Sequence, residues 1–197
     1  MGCLKGMVWL VLILIGLAVV GGIAGTQRPK APEVAEIRPQ LITERPVVLK
    51  NAWRMLTDVS KIDDSKSVYL TLPSENELPQ RFGGTAPAVL TLRCLENKTA
   101  AIFQFAGNFM TSIQRYGEIT YRVDDRPART QEFVESTDNE ALGLWSGGAA
   151  IPFIKSLTGA TTLYVRAVPF NESPMEAEFN IAGLSDNIGE LRAACGW

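Results

Sequence analysis

The chain has 197 residues, with 19 Lys and Arg against 21 Asp and Glu and a formal net charge of −2. It carries no basic block, so its charge offers nucleic acid no footprint and none is expected as a partner. It holds no histidine and only three cysteines, which excludes a Ser-His-Asp triad, a Cys-His pair, a His-containing zinc site and a four-thiolate site; no metal and no cofactor is expected.

Residues 7–20 are almost unbroken hydrocarbon, and residues 21–25 extend the run without a charge. Together they approach the ~20 residues that cross a bilayer as a helix. Residues 1–25 are therefore expected to be a transmembrane anchor. The competing expectation is a secretory signal cut at the small-x-small site Gly22-Ile23-Ala24. Met1-Gly2-Cys3 suggests acylation, but Gly6 stands where the myristoylation pattern needs Ser or Thr. Lys5 precedes the run, whereas Arg28, Lys30, Arg38 and Arg45 follow it. That count favours retaining the C-terminal part inside. A short apolar segment ahead of a soluble domain favours export, and so does the cysteine pattern; export is the expectation. Residues 26–50 carry Pro29, Pro32, Pro39 and Pro46 and read as an extended linker. Residues 51–197 are left as one exported β domain.

That domain alternates apolar and polar residues at period two. The inward sets are Val68, Leu70 and Leu72; Leu90, Leu92 and Cys94; Ala101, Phe103 and Phe105; Ile119, Tyr121 and Val123; Leu163, Val165 and Ala167; and Ala177, Phe179 and Ile181. Turn signals separate them at Asp63-Asp64-Ser65, Glu96-Asn97-Lys98, Asp124-Asp125-Arg126-Pro127 and Asn171-Glu172-Ser173-Pro174. The expected fold class is mainly β, an antiparallel sandwich or barrel. Ile151, Ile154 and Leu157 have helical spacing within residues 149–157. Leu184, Ile188, Leu191 and Cys195 line one face of a short C-terminal helix, which Ser185 can cap.

Cys94 and Cys195 are the two cysteines of the domain, and in an exported chain they read as a disulfide. The alternative is two separate buried thiols. A bridge would close a loop of ~100 residues and stabilise by about 4–5 kcal/mol in the chain-entropy model.

Asp63-Asp64 and Asp124-Asp125 could be acid-base pairs or calcium ligands. Both lie at turns, where Asp serves backbone hydrogen bonding, and the turn reading is preferred. Gly83-Gly84 and Gly147-Gly148 lack the flanks of a phosphate loop and read as turns. Asn97-Lys98-Thr99 and Asn171-Glu172-Ser173 match a glycosylation pattern and also read as hairpin turns. Trp53, Trp145 and Trp197 read as core or rim residues rather than ligand platforms. No catalytic constellation is visible. Arg122 and Asp124, on the polar side of the Tyr121 strand, are the candidate binding contacts; the competing reading is a charge pair facing water.

Several of these residues occur together in one family. They are Trp53 at the domain's start, the Asp63-Asp64-Ser65 turn, Arg93-Cys94 at a strand end, Tyr121-Arg122 with Asp124, and Trp145-Ser146. The chain then closes through Phe179-Asn180-Ile181-Ala182-Gly183-Leu184 to Ala194-Cys195-Gly196-Trp197. From residue 53 to residue 197 it resembles the VasI/TagO-type accessory proteins of bacterial type VI secretion systems. The resemblance implies an exported bacterial domain with a Cys-Cys bridge and no enzyme activity. The expected function is a membrane-tethered, non-enzymatic protein that binds another envelope or secretion-system protein. The N-terminal helix would hold it in the bacterial inner membrane, single-pass, with the domain in the periplasm. Signal cleavage would instead release the domain into the periplasm. The alternative functions are a cell-wall carbohydrate-binding or hydrolytic domain, and a phage-borne structural or inhibitory envelope protein.

Overall fold

Alternating hydrophobicity becomes two antiparallel sheets that contribute their buried faces to one core. The computed structural model describes Val47–Val48 by backbone alone and residues 52–197 in full. The anchor expected at residues 1–25 and nearly all of the linker expected at 26–50 lie outside the described residues. Among the described residues no helix is long and apolar enough to cross a membrane.

The strands are β1 (Val47–Val48), β2 (Arg54–Val59), β3 (Lys66–Pro79), β4 (Thr85–Leu95), β5 (Lys98–Phe105) and β6 (Glu118–Val123). After them come β7 (Arg129–Glu132), β8 (Val134–Glu135), β9 (Ala141–Leu144), β10 (Thr162–Ala167) and β11 (Met175–Asn180). The larger sheet has the order β1-β2-β3-β4-β5-β9-β8, the smaller β11-β10-β6-β7. Val68, Leu70 and Leu72 face inward from β3, as do Leu90, Leu92 and Cys94 from β4, and all are buried. Phe103 sits among four other rings, with centroids of Phe105, Phe133, Phe153 and Phe179 at 6.2, 5.8, 6.0 and 5.9 Å. Trp53 is wholly buried.

Both edges of the smaller sheet are managed. Beyond β7 the chain passes through buried Phe133 straight into β8 of the larger sheet. At the other edge, β3 bulges between Pro73 and Glu77 and runs on to Pro79. The Ser74 hydroxyl accepts the Ala88 N–H at 2.9 Å and donates to the Asn76 carbonyl at 2.6 Å. Asn76 Nδ2 then donates to the Glu176 carbonyl, and its Oδ1 accepts the Glu178 N–H, both at 2.9 Å. One amide side chain thus occupies main-chain groups of edge strand β11, which an open edge would leave available for wrong pairing.

The helices are α1 (Gly147–Leu157), α2 (Leu184–Asn187) and α3 (Gly189–Cys195). Helix α1 starts two residues before the expected segment. Extended Ser146 offers its carbonyl to the N–H groups of Ala149 and Ala150, so Gly147-Gly148 form a first helical turn rather than a loop. Ala150, Phe153, Ile154 and Leu157 are its buried residues, while Ile151 is only half-buried. The expected C-terminal helix is two short ones, α2 and α3, meeting at Ile188 and Gly189. Gly183, at φ 81°, stands at the N-cap of α2. Ser185 lies inside α2, and its hydroxyl accepts the Gly159 N–H at 3.0 Å instead of capping. Leu184, Ile188 and Leu191 are buried as their spacing requires. Cys195 at the end of α3 forms a disulfide with Cys94 of β4, S–S 2.04 Å and Cα–Cα 5.7 Å. Gly196 takes the left-handed conformation, φ 68°, that ends α3. This turn lets Trp197 Nε1 donate to the Thr99 hydroxyl at 2.9 Å.

Candidate binding groove

Because Cys94 points inward, its neighbour Arg93 points out from the larger sheet. The register builds rows across that outer face. Tyr69, Arg93 and Ala100 form one row; Thr91, Ile102 and Gly143 the next; Val89, Gln104 and Ala141 the third. A groove of about 570 Å³ runs along them, within the usual range for ligand sites. Its floor is the sheet, Trp145 stands at one end and residues 136–138 form a wall.

Trp145 is held in place on several sides. Its Nε1 donates to the Val134 carbonyl at 2.9 Å. Its indole lies so close over Gly143 that a Cβ there would meet ring atoms at 2.6 Å. The Arg93 guanidinium stands 5.4 Å from the ring centroid, a cation–π contact. The wall is equally fixed. Ser136 N–H donates to the Ala141 carbonyl at 2.9 Å, and Ala141 N–H donates back to the Ser136 hydroxyl at 3.1 Å. That hydroxyl donates in turn to Asp138. Asn139 exchanges hydrogen bonds with Met110 of the loop between β5 and β6.

The cation of this groove has no acidic partner among the described residues. Arg93 joins none of the ion pairs formed among the described residues. Of the three buried side-chain polar atoms without a hydrogen-bond partner among those residues, two line the groove, Arg93 Nε and Glu135 Oε2. Such atoms are costly. The Ser112 hydroxyl holds the Glu135 carboxyl below its ordinary range. The Ser136 hydroxyl does the same for Asp138. The groove therefore has a cationic end beside Trp145 and an anionic end beside Ala141.

The residues singled out from the sequence lie on the smaller sheet. Arg122 is exposed on its outer face and lines a hollow of about 600 Å³ with Tyr164 and Arg166. There both arginines are paired. Arg166 pairs with Glu176 at 2.5 Å, Arg122 with Asp125 at 3.8 Å, and Glu178 raises the Tyr164 phenol. Asp124 is not on that face. Strand β6 ends at Val123, and Asp124 turns away at φ 48°. Its Oδ1 accepts the N–H groups of Thr161 and Thr162, both at 2.9 Å, which pins the turn after β6 to the start of β10. Arg122 reaches only the Asp124 carbonyl, at 3.1 Å. The competing reading, an Arg122–Asp124 charge pair facing water, is in the structure an Arg122–Asp125 pair. Asp63 also serves a turn, accepting the Ser65 hydroxyl at 2.9 Å. No cluster of three His, Cys, Asp or Glu fit for a metal occurs among the described residues.

Period two alone could have placed Arg93 and Gln104 on the outer face. Glu135 and the wall could not be found that way, since β8 has two residues and no period.

The family model described as "Type VI secretion system VasI, EvfG, VC_A0118" matches residues 26–197. None of the curated proteins compared with the chain matches it. Among solved structures, invasion associated protein B from Bartonella henselae is similar, with 11% sequence identity and a TM-score of 0.48 over 78% of this chain and 98% of that one.

Proposed function

The chain belongs to the VasI family of type VI secretion systems, and we propose that it is a non-catalytic, membrane-tethered envelope component whose outer-sheet groove binds another envelope or secretion-system protein. The observation that carries this reading is the groove's rigid frame around Arg93, which joins none of the ion pairs among the described residues, and the exposed Asp138. The Arg122 face is the alternative contact, and its paired arginines make it the weaker one. The hydrolytic alternative draws little support, because the Asp63 and Asp124 carboxylates are engaged by turns. The proposed location is the inner membrane with the domain in the periplasm, supported by the apolar run at residues 7–20.

The test is capture of the tagged full chain from crosslinked envelopes of secretion-competent cells. Arg93→Glu should lose a secretion-system protein that Arg166→Glu retains. Equal capture by both variants and the unaltered chain would remove the groove from the account. A reporter fused after Lys50 should be active outside the cytoplasm, and the purified protein should keep residues 7–20 by mass. A mature N-terminus at Gly25 would replace the tether with a cleaved signal.

A further inference from the structure

We infer that the groove reads an extended peptide segment of its partner carrying one acidic and one basic side chain four residues apart. The inference rests on the binding role proposed above and names what the groove selects. From the row containing Gln104 and Ala141 to the row containing Arg93 and Ala100 is four residues along β5. At ~3.3 Å per residue that is about 13 Å. Arg93 marks one end. Ser136 bonds Ala141 and its hydroxyl donates to the exposed Asp138, so that carboxylate marks the other. A partner strand laid along the groove has the same rise. Its residues i and i+4 point to one side and reach both ends at once.

Arg93 is suited to a carboxylate. Its guanidinium is steadied on the Trp145 ring, has no acidic partner among the described residues, and presents the planar donors that carboxylates bind. At the far end Asp138 stands exposed. The Ser136 hydroxyl holds its carboxyl below the ordinary range, so that end draws a cation. A neutral sugar is the poorer fit. Sugar binding by an aromatic residue needs a free ring face and a free polar edge. Trp145 spends its ring on Gly143 and Arg93 and its Nε1 on Val134.

The test uses the full chain in detergent and fluorescein-labelled pentapeptides read by anisotropy. Lys-Thr-Val-Thr-Glu should bind tighter than Glu-Thr-Val-Thr-Glu or Lys-Thr-Val-Thr-Lys by about tenfold, the loss of one charge-assisted contact. Arg93→Glu should invert the order in favour of Lys-Thr-Val-Thr-Lys, and Arg93→Gln should weaken the mixed-charge peptide without favouring any other. The inversion is a gain, which misfolding does not produce. Equal binding of the three peptides, or displacement of the mixed-charge peptide by chitotetraose, would overturn the inference. If envelope capture still depends on Arg93 in that case, the binding role stands and only the charge spacing is wrong. If capture ignores Arg93 as well, the role itself fails.

Discussion

Asp124 shows how one side chain can be read correctly by type and wrongly by place. An Asp-Asp pair before Arg-Pro signals a turn, and a turn is what it makes. The period-two count from Tyr121 nevertheless carries it onto a strand face that ends one residue earlier. Backbone N–H groups of Thr162 and Thr161 hold its carboxyl below the usual value of 3.8. A carboxyl depressed in the folded state adds stability that is complete above its unfolded pKa. That stability is lost as pH falls through the lower, folded value. Denaturant unfolding should therefore show the protein losing stability below about pH 4. Asp124→Asn should be less stable at neutral pH and lose less on acidification. A variant with an unaltered acid limb would show that the two hydrogen bonds do not set it. Gly143 makes the complementary point, since its need is invisible in sequence and evident once Trp145 lies on it. Gly143→Ala should cost about 1–3 kcal/mol by overpacking and red-shift the tryptophan emission as the Trp145 ring is lifted into water. Unchanged emission would mean that the ring has another resting place.

Elements with a clean period were legible. Strands β3, β4, β5, β6, β10 and β11 each contain the alternating run that announces them. Strands β8 and β9 were not. One has two residues, and the other, Ala-Leu-Gly-Leu, is buried on both faces and so has no polar beat. The extension of β3 was hidden by its bulge, which shifts the register after Pro73. Asn76 sits in that bulge and closes the β11 edge. Asn76→Ala should cost about 1–2 kcal/mol for its two hydrogen bonds and raise the tendency to self-associate through β11, measurable by light scattering. The C-terminal helices depend on their bridge. Cys94 and Cys195 are separated by 101 residues, and opening so long a loop in the unfolded chain should cost about 4–5 kcal/mol. Cys195→Ala should lower the denaturation midpoint accordingly. A midpoint unchanged from the oxidised protein would show that packing of Leu184, Ile188 and Leu191 suffices.

At the scale of the molecule, the mainly β class follows from local alternation, while strand order does not. The groove joins Tyr69 and Arg93 to Glu135 and Trp145 across four strand pairings, and no spacing in the sequence announces that neighbourhood. That Arg93 meets no acidic partner among the described residues is likewise a property of the strand order. The same holds for the core. Phe103 is one alternating residue among many in sequence, yet rings from β5, β11, α1 and the crossing between the sheets meet on it. Truncation to Ala should cost about 3–5 kcal/mol and loosen both sheets together. Which outer face meets the partner is the point on which the whole account turns. Site-specific photocrosslinking in intact cells addresses it most directly, with the photoreactive residue placed at Gln104 and Thr137 of the groove and at Arg122 and Tyr164 of the opposite face. Adducts to an envelope or secretion-system protein from Gln104 and Thr137, and none from Arg122 or Tyr164, are the predicted result. Adducts confined to Arg122 and Tyr164 would contradict it.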